Sequence, residues 1–384
     1  VRKTARNSVY LLAKLIILLV AAAYITDYDY ILKGIRVVYF TGHTTAFIDD
    51  HPYFTNVDIN NSGEPQPWPL HSYYNQAKKT DRLDSINREL GTVAFVIIHK
   101  DSVWHESYAE GYSDSSQTNS FSMAKSVVSA LLGKAIYDGH VSGIGHKVGD
   151  LLPQYAGVEA TLGDLSSMAS GYDWTEHYTS PFSITARAYY DDDLGSTMLG
   201  QGFVEAPGQG FRYLSGNIQL LAMALEAAVE MPLEEYLSQS FWEPMGFEQP
   251  ALWQVDDPEN HLPKAYCCIA SNALDFARFG KLYKDHGKWK GTPLIDSAFV
   301  ARSIRPRFED SPEYGYGFWL SDHLDKHIFV MRGILGQYVI TIPEDDLIIV
   351  RLGHQRGPRS GRPFSDDFYV FVEEAYAMMS SSAP

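Results

Sequence analysis

The sequence predicts an α/β protein of the α+β kind: an antiparallel sheet built from N- and C-terminal segments, flanked by helices, with a helical domain inserted. Three observations lead there. A hairpin of β-forming residues occupies 92–108, four further strand-like runs wait until 314–352, and the stretch 146–300 between them reads as helices and loops. Strands of one sheet must therefore come from distant parts of the chain.

In chain order, residues 1–25 carry Arg2, Lys3 and Arg6 before an apolar stretch from about 9 to 25, and Ala21, Ala22 and Ala23 offer a small-residue cleavage pattern. This is the pattern of an export signal. Lys14 interrupts the stretch, which is short for a membrane span, so a cleaved signal peptide and a single N-terminal membrane anchor both fit. Either puts the remainder outside the cytoplasm, in the periplasm or anchored to the outer face of the cytoplasmic membrane.

Residues 26–90, rich in Tyr, Asn, Pro and His and without sustained periodicity, are expected to wrap the surface of a main domain at 91–384. Within that domain Thr92–His99 and 103–108 form the hairpin, with Lys100 and Asp101 in the turn. A Ser/Thr/Asn-rich loop then leads to a helix beginning near Phe121. Its apolar positions, among them Val127, Val128, Leu131, Leu132, Ala135 and Ile136, cover enough of the circumference to require burial. Gly139 ends it as a left-handed cap. Helices are expected at 218–230 and 273–286, inside the helical subdomain at about 146–300. Strands follow at 314–320, 328–331, 337–342 and 347–352, with 343–346 as a turn, and a last helix at 365–379.

Composition excludes several functions. With 45% hydrophobic residues the chain is globular, and a formal charge of −16 with no basic stripe argues against nucleic acid as a partner. Cys267 and Cys268 are adjacent, which suits neither an ordinary disulfide nor a four-ligand zinc site, so they read as buried small hydrophobes. His323 and His327 flank a strand-to-strand turn, Asp191-Asp192-Asp193 reads as a solvated loop, and no His-Glu-x-x-His motif exists. No metal and no cofactor is expected. Gly-x-Ser-x-Gly and phosphate-cradling glycine loops are also missing. Nothing in the pattern fixes an oligomeric state.

What carries chemistry is Ser122-Met-Ala-Lys125, opening the buried helix. Residues three apart share a helical face, so a desolvated lysine amine can take the proton of the serine hydroxyl. That is the logic of acyl transfer through a serine nucleophile.

Two further motifs follow in order, Phe211-Arg-Tyr213-Leu-Ser215-Gly-Asn217 and Gly333-Ile-Leu-Gly336-Gln337. Together the three resemble the serine β-lactamase and penicillin-binding superfamily, with the closest likeness to class C β-lactamase-like esterases and 6-aminohexanoate-dimer hydrolases. Thr161-Leu-Gly-Asp-Leu-Ser-Ser-Met-Ala-Ser-Gly171 and Ala273-Leu-Asp275-Phe-Ala-Arg-Phe-Gly280 resemble supporting blocks of that superfamily. The resemblance implies a β-lactamase/transpeptidase-like fold and a serine hydrolase forming an acyl-enzyme. Ser122 would be the nucleophile, with Lys125 and Tyr213 sharing the proton traffic, either one as base, and the N–H groups of Ser122 and Gln337 forming the oxyanion hole. Gly336 would keep the acyl site open, Leu335 would lie beside it, and the aromatic loop holding Tyr172, Trp174, Tyr178, Tyr189 and Tyr190 would wall the cleft.

There are two departures from the superfamily pattern. Ser215 stands where Tyr-x-Asn has its amide, and Ile334 and Leu335 replace the polar residues of the third motif. Asn217 either replaces the missing amide or is a solvated helix-start residue. These changes remove groups that orient a β-lactam, so the expected substrate is a small uncharged ester or amide. Two other readings stay open at this point: a D-amino-acid carboxypeptidase or amidase acting on cell-wall peptides, and a non-catalytic, membrane-tethered binding protein on the same scaffold.

Overall fold

The structure, a computed structural model, describes residues 2–381, with side chains from residue 6 onward. The side chains of Arg2 and Lys3, read as the basic head of the apolar stretch, lie outside the described residues. The N-terminal part comprises α1 (Arg2–Ile25), α2 (Tyr30–Gly34) continued by a π-helical turn at Ile35–Tyr39, β1 (Asn56–Ile59) and α3 (Asp81–Glu89). The hairpin β2 (Thr92–His99) and β3 (Ser102–Tyr108) follows, then β4 (Thr118–Asn119) and α4 (Met123–Asp138). The middle holds α5 (Val148–Leu151), α6 (Leu162–Ser166), α7 (Ile184–Tyr190), α8 (Leu194–Leu199), α9 (Ser215–Val229) and α10 (Leu233–Leu237). After it come β5 (Ala251–Gln254), β6 (Ile269–Ser271), α11 (Ala273–Lys284), β7 (Lys288–Trp289), β8 (Thr292–Pro293) and α12 (Ser297–Ser303). The chain closes with β9 (Trp319–Ser321), β10 (Ile328–Arg332), β11 (Tyr338–Ile342), β12 (Leu347–Gly353) and α13 (Asp366–Ser381).

The main sheet is antiparallel, in the order β3-β2-β12-β11-β10-β9, so the early hairpin joins the C-terminal meander along β2 and β12, with Val96 opposite Val350. Its strands read as nearly unbroken apolar runs because both faces are covered. Phe95 and Ile97 point to one side and pack with Phe368, Phe371 and Val372 of α13. Val96 and Ile98 point to the other, toward Val127 and Leu131 of α4 and Phe276 of α11. α4 is therefore enclosed between the sheet and the helical region, as its all-round apolar pattern requires. Gly139 ends it at φ 83°.

Three features differ from the sequence expectation. Strands return well before the C-terminus: β1, β5, β6 and β4 form a second sheet, in that order, whose strands of two to four residues are too short to show a period. Residues 26–90 contain a capped helix, since the Thr80 side chain accepts from Leu83 N–H and α3 sets Leu83 in the core beside α13. Finally, the strand expected at 314–320 is only Trp319–Ser321. The residues before it press against α4 instead, where a Cβ on Gly317 would meet the Ser129 Cβ at 2.3 Å.

His105 on β3 is 6% exposed, and among the described residues neither ring nitrogen has a hydrogen-bond partner. Burial, with a smaller push from Lys79, lowers its pKa to about 4. The folded chain thus holds this ring neutral while the unfolded chain takes up a proton near pH 6.5, so stability falls as pH drops from 6.5 toward 4. Urea denaturation at pH 7.5 and pH 5 should show His105→Leu losing less stability than the parent, by on the order of 1–2 kcal/mol. An equal loss in both proteins would show that His105 already binds a proton in the fold.

Candidate active site

The second sheet delivers the chain to Ser122. Ser120 N–H donates to the Ile269 carbonyl (2.8 Å), and Phe121 then takes φ 45°, a left-handed setting that a bulky residue holds only under constraint. Ser122 comes next as the N-cap of α4, and its hydroxyl makes no capping bond. One turn on, the Lys125 amine donates to Ser122 Oγ (2.9 Å) and to the Tyr266 carbonyl (2.7 Å). Lys125 is 2% exposed, and burial lowers its pKa to about 8, opposed by the charge of Glu176. Near neutral pH a useful fraction of this amine is unprotonated and touches a hydroxyl.

Tyr213 approaches from the extended segment before α9. Its ring lies 5.3 Å from the Lys125 nitrogen and packs on Trp319 with centroids 5.1 Å apart. Burial and Glu176 raise its pKa above the ordinary tyrosine value, partly offset by a side-chain hydrogen bond with Ser122 and by Arg332. The phenol is therefore a neutral hydrogen-bonding group, and Lys125 does not acidify it.

The third motif is a tight turn between β10 and β11. Gly333 N–H donates to the Gln337 carbonyl (2.8 Å), Gly336 N–H donates to the Gly333 carbonyl (3.2 Å), and Leu335 N–H donates to Gln337 Oε1 (3.1 Å). The turn seats against the loop before Ser122, since a Cβ on Gly333 would lie 2.6 Å from the Ser120 carbonyl oxygen. Among the described residues, neither Ser122 N–H nor Gln337 N–H donates to another protein group. Gly336 serves a different purpose from the one expected. Its φ is 85°, and a Cβ there would meet Arg351 Nη1 at 2.7 Å instead of the acyl site.

Sequence reasoning missed Arg351 and Glu176. Arg351 is fully buried in β12 and donates to the carbonyls of Leu335 (3.0 Å) and Gly336 (2.9 Å), pinning the third-motif turn. Glu176 accepts from Trp174 Nε1 (3.0 Å), from Ser215 N–H (2.8 Å), and from the hydroxyls of Ser215 and Tyr178. It thereby ties the aromatic loop to the first residue of α9. Neither residue lies in a motif, so only the tertiary structure reveals them.

A cavity of about 120 Å³ opens over Ser122, walled by Tyr178, Tyr189, Tyr190, Ile334 and Leu335, with Ser215 at its edge. Tyr172 and Asn217 do not line it. Tyr172 is fully buried, its hydroxyl donating to the Met198 carbonyl (2.5 Å), so it belongs to the core. Asn217 is 1% exposed and accepts from the Ser170 hydroxyl, which makes it a buried structural amide and neither a solvated residue nor a cleft group. Cys267 and Cys268 form a disulfide, which corrects their reading as free hydrophobes. Cys268 takes φ 75°, and Cys267 lines the cavity.

Comparison with known proteins agrees with this architecture. The Beta-lactamase family model matches residues 78–370. A 6-aminohexanoate-dimer hydrolase of Paenarthrobacter ureafaciens is 24% identical over 312 residues, covering 73% of this chain and 77% of that one. Among solved structures, a Bacillus anthracis protein provisionally assigned as a 6-aminohexanoate-dimer hydrolase superposes with a TM-score of 0.69 at 18% identity, covering 92% of this chain and 94% of the other. The octameric penicillin-binding protein homologue of Pyrococcus abyssi gives 0.58 at 18% identity, over 77% and 75%.

Replacing Glu176 by Ala should cost about 1–3 kcal/mol in urea denaturation, because the donors it satisfies lose their common acceptor. The same change removes the one charge that raises the Lys125 pKa, so that pKa should fall below about 8 when followed by NMR of the labelled amine. A stable variant with an unmoved lysine would show that Glu176 holds neither the loop nor the local field.

Proposed function

From its membership of the beta-lactamase family, to which this chain belongs, we propose that the protein hydrolyses a small uncharged ester or amide through an acyl-enzyme on Ser122. The observation that carries the reading is the 2.9 Å contact between a buried amine and the Ser122 hydroxyl. Lys125 is the base, because burial brings its pKa to about 8 while the same burial moves the Tyr213 phenol away from neutrality.

Neutral Lys125 takes the Ser122 proton as Oγ bonds to the substrate carbonyl carbon and the carbonyl electrons move onto oxygen. The N–H groups of Ser122 and Gln337, which have no other acceptor among the described residues, hold that oxyanion. Collapse restores the carbonyl and breaks the bond to the leaving alcohol or amine. The proton on Lys125 reaches the leaving group through the Tyr213 hydroxyl, which gives one proton and takes one. Water then attacks the acyl-enzyme by the same route, and Ser122 recovers its proton.

The cavity lining is aromatic, aliphatic and hydroxyl-bearing, which supports an uncharged acyl group over a cell-wall peptide carrying a free carboxylate. α1 contributes an apolar run at Arg6–Ile25 with none of it buried, which supports export and retention at the outer face of a membrane.

Ser122→Ala should abolish labelling by a fluorophosphonate probe and lower p-nitrophenyl acetate turnover by roughly 10³-fold or more. Unchanged labelling would remove Ser122 as nucleophile. Since the base works when deprotonated, kcat/KM should climb about tenfold per pH unit below pH 8 and level above it. A profile flat from pH 6 to 9 would remove Lys125 from the role.

A further inference from the structure

We propose that the cavity over Ser122 opens at a lipid bilayer surface and takes an ester or amide resident in that bilayer, an inference that rests on the Ser122 reading above and names its substrate class. The first observation is continuity. Arg6–Ile25 is long enough to cross the hydrocarbon layer at ~1.5 Å per residue and is wholly unburied. The same chain then runs through α2, where a Cβ on Gly34 would touch the Tyr190 ring at 3.3 Å, and goes on to supply Thr45 and Ala46 to the cavity wall. About twenty residues after α1 ends, the apolar helix's own continuation has become one wall of the site.

The second observation is the exposure of large aromatics on both segments that frame the opening. Tyr39 and Phe40, just ahead of Thr45, are 63% and 80% exposed. On the second segment Phe182, which precedes the cavity residues Thr185 and Ala186, is 70% exposed. Tyr28, three residues past the end of α1, packs on Phe182 with centroids 5.9 Å apart, so the chain leaving the apolar helix meets the segment that leads to Thr185 and Ala186. Side chains of this kind collect at the headgroup level of membranes, where a flat apolar ring loses water without leaving the interface. The link between the two segments is held by the Arg187 guanidinium, bonded to Asp27 (2.7 Å) and stacked over Tyr30 (4.7 Å), and by Tyr30 OH donating to the Pro181 carbonyl (2.9 Å).

The third observation is size. A cavity of about 120 Å³ holds the carbonyl and the first few carbons of an acyl group, so the rest of a long chain must lie outside it. At the end of a bilayer-spanning helix that outside is the membrane interface, with the hydrocarbon directly beneath it. A substrate with one end in the membrane needs no large pocket, because the membrane already desolvates and concentrates it.

The test uses the full chain with α1 in place, reconstituted in dioleoylphosphatidylcholine vesicles. p-Nitrophenyl dodecanoate dissolved in those vesicles reads the bilayer route, and p-nitrophenyl acetate in water reads the Ser122 chemistry. A Tyr39→Ser, Phe40→Ser, Phe182→Ser variant should lose tenfold or more on the dodecanoate and stay within twofold on the acetate, with its melting temperature unchanged. Equal activity of parent and variant on the dodecanoate overturns the inference, as does a parent that turns over acetate but not vesicle-borne dodecanoate. Failure of the parent on both esters, with no fluorophosphonate labelling, would instead overturn the Ser122 reading and this inference with it.

Discussion

Burying the Lys125 amine without a carboxylate in contact is the constraint on which the rest of the structure depends. A direct ion pair would hold the lysine charged, and open water would do the same. Here the nitrogen has a hydroxyl and a carbonyl as acceptors, two aromatic faces near it, and its nearest opposing charge on Glu176, which is itself occupied by four donors. Such an arrangement requires α4 to be enclosed on every side. The two-sheet layout supplies that enclosure, with the main sheet beneath the helix and the α9 region above.

The acceptor at Tyr266 needs its own support. The carbonyl belongs to a segment that closes at once into the Cys267–Cys268 disulfide, and Trp253 Nε1 donates to the Cys267 carbonyl (3.3 Å) while Gln254 N–H donates to that of Cys268 (3.1 Å). Three strands of the second sheet thus converge on the site: β4 leads into Ser122, and β5 and β6 bracket Tyr266. On the far side, Arg351 fixes the third-motif turn from an adjacent strand. Its guanidinium supplies from below the order that a polar side chain within the motif would otherwise provide.

The parts of this arrangement that were legible in the sequence are those carried by long or strongly typed runs. The β2–β3 hairpin and its Lys100–Asp101 turn, α4 from near Phe121 to Gly139, and the meander from β10 to β12 lie where period and turn residues put them. The pairing of Ser122 with Lys125 also follows from helical spacing alone. What stayed hidden was decided by tertiary packing. Tyr172 and Tyr190 look alike on one aromatic loop, yet one hydroxyl turns inward to Met198 and the other ring faces the cavity. Asn217 sits two residues after Ser215, yet helix α9 carries it into the core. Glu176 reads as one acidic residue among many until its four donors are seen to come from three directions.

The apolar third motif and the raised Tyr213 pKa then follow one logic. A cation at position 334 or 335 would stand over the cavity and favour the phenolate, as well as any anionic substrate. With Ile334 and Leu335 there instead, burial and Glu176 hold the proton on the phenol and outweigh the opposing pull of Ser122 and Arg332. Tyr213 can then give up a proton only as it receives another, while the desolvated Lys125 is the group whose proton affinity lies near neutral pH. In the function proposed above, loss of charge at the cavity edge therefore favours neutral acyl donors and, by the same electrostatics, favours the lysine as base.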